Sequence, residues 1–337
     1  MARGRPPAVA ARPDPQIRLG IPYLCEGASV ATQTEEPTEH TRPAVRAWEQ
    51  FPVTVAALRR LSPSFVRVTF TGETLAHFAD NGLDQRFKLI LPAAACGFDK
   101  MTGGDRWYSE LRALPEDEQC GVRTYTVRAV RADLAEVDVD MVVHDAHDPA
   151  DCGPALRWLR DAKAGDEALL LGPDARWDGP HGGVDFHAPE GAELLIAGDE
   201  TAAPAIAAIL EDLPITARGK VFIEVPEAAD VLELDAPEDV EVVWLPRDGE
   251  AWGERLVPAV TEAARGMDFA RDDQFEEVED EMVWEAPEEA GPSDAYVWIA
   301  AETAVVKSLR FTIRKELGLP KEAGAFMGYW RNGKAWD

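Results

Sequence analysis

Only four cysteines occur in 337 residues, Cys25, Cys96, Cys120 and Cys152, and they stand far apart with no C-x-x-C pair. That spacing argues against a zinc site, an iron–sulfur cluster or a disulfide framework. Basic charge is equally scarce: 34 Lys and Arg against 62 Asp and Glu leave a net charge of −28. Nothing on such a chain offsets phosphate repulsion, which excludes nucleic acid as a partner and disfavours an anionic membrane surface. No stretch approaches the roughly 18 uninterrupted apolar residues of a membrane span. The N-terminus carries arginines and prolines without an apolar secretory core after them, so a cytoplasmic location and no membrane insertion are expected.

What is present is a globular chain, 46% hydrophobic and 28% charged, long enough to favour two domains over one. Residues 1–46 hold seven prolines and no periodicity, the composition of a disordered leader. From Phe51 short β-branched and aromatic runs follow, 53–61, 65–71 and 87–91, then a variable segment 92–121 read as a long loop. Two more alternating strands at 122–129 and 136–143, a helix at 153–164 and a strand at 167–171 complete six short antiparallel strands, a small β-barrel over 47–186.

Past a Gly/Pro/His-rich joint at 178–189 the rhythm becomes strand, helix, strand. Apolar strands at 194–197, 220–225, 240–245 and 296–300 alternate with helices at 202–213, 253–265 and 304–317. Such alternation predicts a Rossmann-like parallel sheet covered on both faces, an α/β domain over 190–337 with a ligand at its strands' carboxyl ends. One segment, 268–289, breaks the rhythm with eleven acidic residues and a single Arg271. It reads as a solvated insertion, with Phe269, Phe275 and Trp284 leaving room for a partner contact.

The most specific string is Arg123-Thr124-Tyr125-Thr126-Val127-Arg128. Strand alternation puts Arg123 and Tyr125 on one face and Thr126 and Arg128 on the other. A guanidinium beside a phenol can bind a pyrophosphate and cover a planar ring, whereas an exposed edge strand is the plainer reading of the same pattern. Three further strings follow in order: His144 with Gly153-Pro154-Ala155, Trp158, Gly165-Asp166 and Gly172-Pro173; then Gly198-Asp199-Glu200-Thr201-Ala202-Ala203-Pro204-Ala205; then Gly328-Tyr329-Trp330-Arg331. Together these resemble the siderophore-interacting proteins, a branch of the ferredoxin-reductase-like flavoenzymes.

The resemblance implies FAD held by Arg123, Tyr125, Thr126 and Arg128, with Thr126 close to the reactive N5 edge and His144 and Trp158 alongside. The turn Gly153-Pro154-Ala155 opens a helix and would face the pyrophosphate, where free N–H groups suit an anion. Gly198, Asp199, Glu200 and Thr201 would meet a nicotinamide dinucleotide, NADPH or NADH, with Glu302 and Trp330 closing the cleft. On residues alone, Asp199 and Glu200 read equally well as helix-starting acids, and Ala301 stands where the family commonly has glycine. No metal ligand set is expected, because His144 and His147 lack an acidic or thiol complement.

The implied reaction is hydride transfer from nicotinamide to flavin, then single electrons to iron(III) in a bound ferric siderophore, with no side chain acting as a nucleophile. Lys88, Arg176 and Lys321 would receive the chelate. The basic set is incomplete, with Asp174 and Ala325 at positions where relatives carry cations, so a hydroxamate chelate suits the chain better than a catecholate. A flavin-dependent reductase of another acceptor, and a non-catalytic chelate-binding protein on the same scaffold, stay open. The 2′-phosphate of NADPH needs a cation, and Arg218, Lys220, Arg247 and Lys307 are all available by sequence; a reduced ferredoxin is a third donor.

Overall fold

A computed structural model of the chain describes residues 45–143, 153–269, 283–289, 291 and 293–333. Nearly all of the expected leader, both His144 and His147, and residues 270–282 of the acidic segment lie outside the described residues. Strands β1 (Trp48–Arg60), β2 (Phe65–Thr71), β3 (Arg86–Leu91), β4 (Gly121–Thr126), β5 (Ala129–Arg131), β6 (Glu136–Val142) and β7 (Glu167–Pro173) form one sheet. Its order is β4-β3-β7-β1-β2-β6-β5. Every pair in it is antiparallel, and the sheet curls until β4 approaches β6.

Alternation drives this sheet. In β2, Val66, Val68 and Phe70 are buried while Arg67, Thr69 and Thr71 are half-exposed, the period of a strand with one face on a core. Strand β1 starts five residues before the expected Val53. Pro52 is accommodated because the register pairs it with β7 alone, β2 joining only from Thr54 onward, and a strand tolerates a missing N–H where it lacks a second neighbour. Seven strands replace the expected six: the run 122–129 breaks where Val127 N–H turns to Gln85 O and Arg128 N–H to Asp138 O, and its end becomes β5. Segment 92–121 is a packed flap rather than a plain loop. It contains α1 (Trp107–Arg112) and buries Ala93, Leu111 and Cys120 against Ile90.

After α2 (Pro154–Asp161) and β7, the second sheet holds β8 (Glu193–Gly198), β9 (Arg218–Val225), β10 (Val240–Pro246), β11 (Trp284–Glu285), β12 (Ala295–Glu302) and β13 (Gly324–Trp330). The order is β10-β9-β8-β12-β13-β11, with four parallel pairs and an antiparallel β11 at the edge. The sheet is therefore mixed, and the described stretch 283–289 of the acidic segment supplies its edge strand instead of a solvated loop. Helix α3 (Ala203–Asp212) covers one face; α4 (Leu256–Arg265) and α5 (Thr303–Arg310) cover the other. Strand β12 is buried along its whole length, as a central parallel strand requires.

The face carrying α3 also carries the first sheet. Phe65 at the start of β2 shares a core with Ile196, Ile206, Ile209 and Trp298. Buried carboxylates bridge the same seam. Asp230 accepts from Ser62 Oγ at 2.6 Å, Ser64 N–H at 2.7 Å and Ser64 Oγ at 2.9 Å, and Asp84 accepts from Phe186 N–H and from Trp298 Nε1 at 3.1 Å. Both sheets fall within one compact unit, Val45–Asp337.

Candidate functional site

Strand β4 pairs with β3 so that Tyr125 faces Phe87 and Arg123 faces Leu89. Cross-strand partners share a face, and Phe87 and Leu89 are core residues of the curled sheet, against which Tyr125 packs. Burial lifts the Tyr125 phenol well above its ordinary pKa, with the charge on Arg123 pulling the other way. The Arg123 guanidinium donates to Val122 O at 2.7 Å and lies over the start of α2. A Cβ on Gly153 would stand 3.3 Å from Arg123 Nη2, so glycine there lets guanidinium and helix start approach. The N-cap of α2 is Gly153, which has no side chain to cap it, and the first helical residue is Pro154. Ala155 is buried at the helix root, and Trp158 stacks on Phe70 with centroids 6.2 Å apart, which makes it a packing residue.

Thr126 is buried on the opposite face from Tyr125, beside its cross-strand partner Arg86. Arg128 leaves the strand altogether: its guanidinium pairs with Glu211 of α3 and lies 3.7 Å from Asp140, tying the two sheets together. Lys88 shares the Thr126 face and donates to Thr124 Oγ1 at 2.6 Å; burial, then the charge on Arg86, lowers its pKa. Arg176 lies beyond β7, bidentate on the fully buried Asp174, whose carboxyl it holds below the usual range. Lys321 stands at the other end of β13 from Trp330, six residues of extended chain and roughly 20 Å away.

At the carboxyl ends of the parallel strands the expected nucleotide-binding residues do meet, but they bind one another. Asp199 accepts Thr201 N–H (2.9 Å) and Oγ1 (2.6 Å) on one oxygen and Glu302 N–H (2.8 Å) and Trp330 Nε1 (2.7 Å) on the other. It thus joins the ends of β8, β12 and β13. Burial, reinforced by the neighbouring Glu200 charge, pushes its pKa up to about 7. Glu302 caps α5 through Ala304 and Val305 N–H and also accepts Asn332 N–H. A Cβ on Gly198 would stand 2.5 Å from Ala202 Cβ and 2.7 Å from Ala300 O, so this glycine serves helix–strand packing.

Glu200 forms a bidentate pair with Arg247 at 2.7 and 2.9 Å. Glu224, at the end of β9, accepts the backbone N–H of Gly253, Arg255 and Leu256 and lies 3.5 Å from Arg247. All three side chains are buried. Above them Trp252 meets Trp330 edge to face at 4.9 Å and covers Arg247. Glu224 and Trp252 escape the reading of the sequence as site residues, and Arg247 enters it only as one of four cations for a 2′-phosphate, although an acid inside the apolar run Val221–Val225 signals a buried, paired role. Trp284 also enters the site: it stacks on Tyr329 at 5.9 Å and receives Arg86 over its ring at 4.5 Å.

Comparison with known proteins bears on the family and the fold. Family models for the siderophore-interacting FAD-binding domain and the siderophore-interacting protein match residues 54–177 and 191–333. An uncharacterised protein of Mycobacterium tuberculosis is 35% identical over 283 residues, 83% of this chain and 89% of its own length. The ferric vibriobactin reductase ViuB of Vibrio cholerae is 28% identical over 81% of this chain and 86% of its own. Among solved structures, a siderophore utilization protein from T. fusca superposes with TM-score 0.66 at 28% identity, covering 87% of this chain and 97% of that one. A ferredoxin reductase of carbazole 1,9a-dioxygenase, at 16% identity and TM-score 0.52 over 86% of this chain and 71% of its own, shares the fold. The chain belongs to the siderophore-interacting protein family.

Proposed function

We propose that this chain is an FAD-dependent oxidoreductase that draws reducing equivalents from NADH or NADPH and reduces iron(III) in siderophore chelates. The observation that carries the reading is the approach of Arg123 to the start of α2 over Gly153, an N-cap with no side chain of its own. Guanidinium and helix start together make a two-sided anion cradle suited to a pyrophosphate. At the far end of β4, Arg86 Nε and Tyr329 Oη are buried with no hydrogen-bond partner among the described residues, polar atoms that suit the edge of a heteroaromatic ring. The residues present therefore fit FAD: Arg123, Gly153 and Ala155 at the diphosphate, Tyr125 and Thr126 at the ring.

Bound FAD would supply the passage from hydride to single-electron chemistry. The protein's share is orientation and charge. Tyr125, whose phenol burial pushes further above its ordinary pKa, offers a neutral aromatic face. Lys88, at the same end of the sheet as Thr126, provides a cation for an anionic chelate, whereas the charge of Arg176 is largely answered by Asp174. With the basic set so reduced and Lys321 at the other end of β13 from Trp330, a hydroxamate chelate fits better than a more anionic catecholate. Iron(III) gains one electron, and oxygen ligands hold the resulting iron(II) far less tightly.

Anaerobic stopped-flow absorbance tests this. The FAD-loaded protein should bleach on mixing with a reduced nicotinamide nucleotide and recover its visible band when a ferric hydroxamate is added. A protein that cannot be loaded with FAD would end the reading; bleaching without reoxidation by any ferric chelate would favour a different acceptor.

A further inference from the structure

A groove of ≈ 470 Å³ runs between the loop after β10 and the first turns of α4 and α5, with Trp252, Glu254, Val257, Glu302, Ala304 and Ser308 on its walls. It opens beside the Asp199 and Trp330 cluster, at the strand ends where an open α/β sheet takes its ligand. The Trp252 ring is partly exposed on one side of it. We infer that this groove receives the adenosine half of the donor nucleotide and selects a ribose with a free 2′-hydroxyl, making the protein an NADH rather than an NADPH enzyme. The inference rests on the reading that a nicotinamide dinucleotide is the donor.

Charge placement sets the selectivity. Every charged group among the described residues lining the groove is a carboxylate: Glu254, exposed, and Glu302, engaged with backbone N–H groups. Each of the four cations that sequence offers to a 2′-phosphate is elsewhere or engaged. Arg218 and Lys220 stand at the amino end of β9, the wrong end of the sheet. Arg247 is 6% exposed, with both guanidinium arms on Glu200 and a further contact to Glu224. Lys307 of α5 already has a partner within the protein. The nearby Arg255 is paired with Glu250 at 2.7 Å.

A 2′-phosphate entering here would meet Glu254 and, among the described residues that line the groove, no cation, a repulsion that disfavours it, while a 2′-hydroxyl can donate to the same carboxylate. Trp252 supplies an aromatic face for the adenine.

Calorimetric titration of the full-length, FAD-loaded protein decides the matter, using NAD+, NADP+, AMP and adenosine 2′,5′-bisphosphate as ligands. NAD+ should bind more tightly than NADP+ by roughly tenfold or more, and AMP more tightly than the bisphosphate. Glu254→Lys should narrow the gap between AMP and the bisphosphate by at least about fivefold. Trp252→Ala should weaken both mononucleotides alike. Equal or tighter binding of NADP+, or a ratio indifferent to Glu254→Lys, overturns the selectivity. Unchanged affinities in Trp252→Ala overturn the groove. Should neither dinucleotide bind while FAD does, the donor reading itself falls and takes the inference with it, an outcome distinct from a preference for NADP+.

Discussion

The start of α2 and the carboxyl edge of the parallel sheet are both built from motif residues, yet they use them in opposite ways. Around Arg123 and Gly153 the N-cap offers no side chain and the guanidinium is laid across the helix start. At the sheet edge Asp199, Glu200, Glu224 and Glu302 are each satisfied from within, by N–H groups, a tryptophan and Arg247. The first arrangement is the one we propose receives an anion. The second holds strand ends in place and leaves recognition to what lies above it, the Trp252 groove. A motif residue is thus not automatically a ligand contact, and hydrogen-bond partners tell the two kinds apart.

The contrast breaks first at Arg247. Arg247→Met should cost about 3–5 kcal/mol, since it leaves Glu200 and Glu224 buried without their cation, and a denaturant titration will register it. Asp199→Asn comes next. All four groups facing Asp199 donate, so the amide nitrogen must meet a donor, a loss of about 1–3 kcal/mol. The same variant alters pH dependence. Because the folded pKa, about 7, exceeds the ordinary 3.8, the native state binds this proton more tightly than the unfolded chain. The associated stability is fully present below pH 3.8 and is lost as pH rises through about 7. The amide of the variant carries no such proton, so denaturation at pH 5 and pH 8 should show a flatter slope than the parent.

On the flavin side Arg123→Ala should lower the apoprotein's melting temperature by less than Arg247→Met does, Arg123 also having partners within the protein. It should weaken FAD by about 10–100-fold, the worth of a charge-assisted contact, as read by flavin fluorescence titration. An equal loss of stability would place Arg123 with the internally closed residues instead. The smallest effect is expected at Lys88: Lys88→Gln should raise KM for an anionic chelate by about two- to fivefold, a half-exposed charge being well screened. Steady-state assays with two chelates of different charge will measure it.

Much of this was legible in the sequence. Uniform apolar runs located β8, β9 and β12 to within two residues, because strands buried on both faces need no polar alternation. Strand β13 escaped, since a run opening on Gly324-Ala325 lacks β-branched residues and takes its place from β12 beside it. The acid-rich composition around Trp284 hid β11, whose Glu285 is answered by Arg310 and Arg314 from α5 and the π-helical turn after it. The candidate site residues were nameable by motif, but their uses were not. The Glu200–Arg247 pair spans 47 residues and Asp199–Trp330 spans 131, and no local pattern encodes either.

Asp230, gripping Ser62 and Ser64 across the seam, constrains both heredity and engineering. Its carboxylate belongs to one half of the chain and its three donors to the other, and Phe65 is inserted beside them into the core that α3 covers. Neither half can be grafted onto a relative's counterpart unless Ser62, Ser64, Phe65 and Asp230 travel as a set. Chimeras cut within 178–189 that ignore this will leave a buried carboxylate bare and a phenylalanine exposed to water. Those two faults would cost such a hybrid its stability before any question of electron transfer arose.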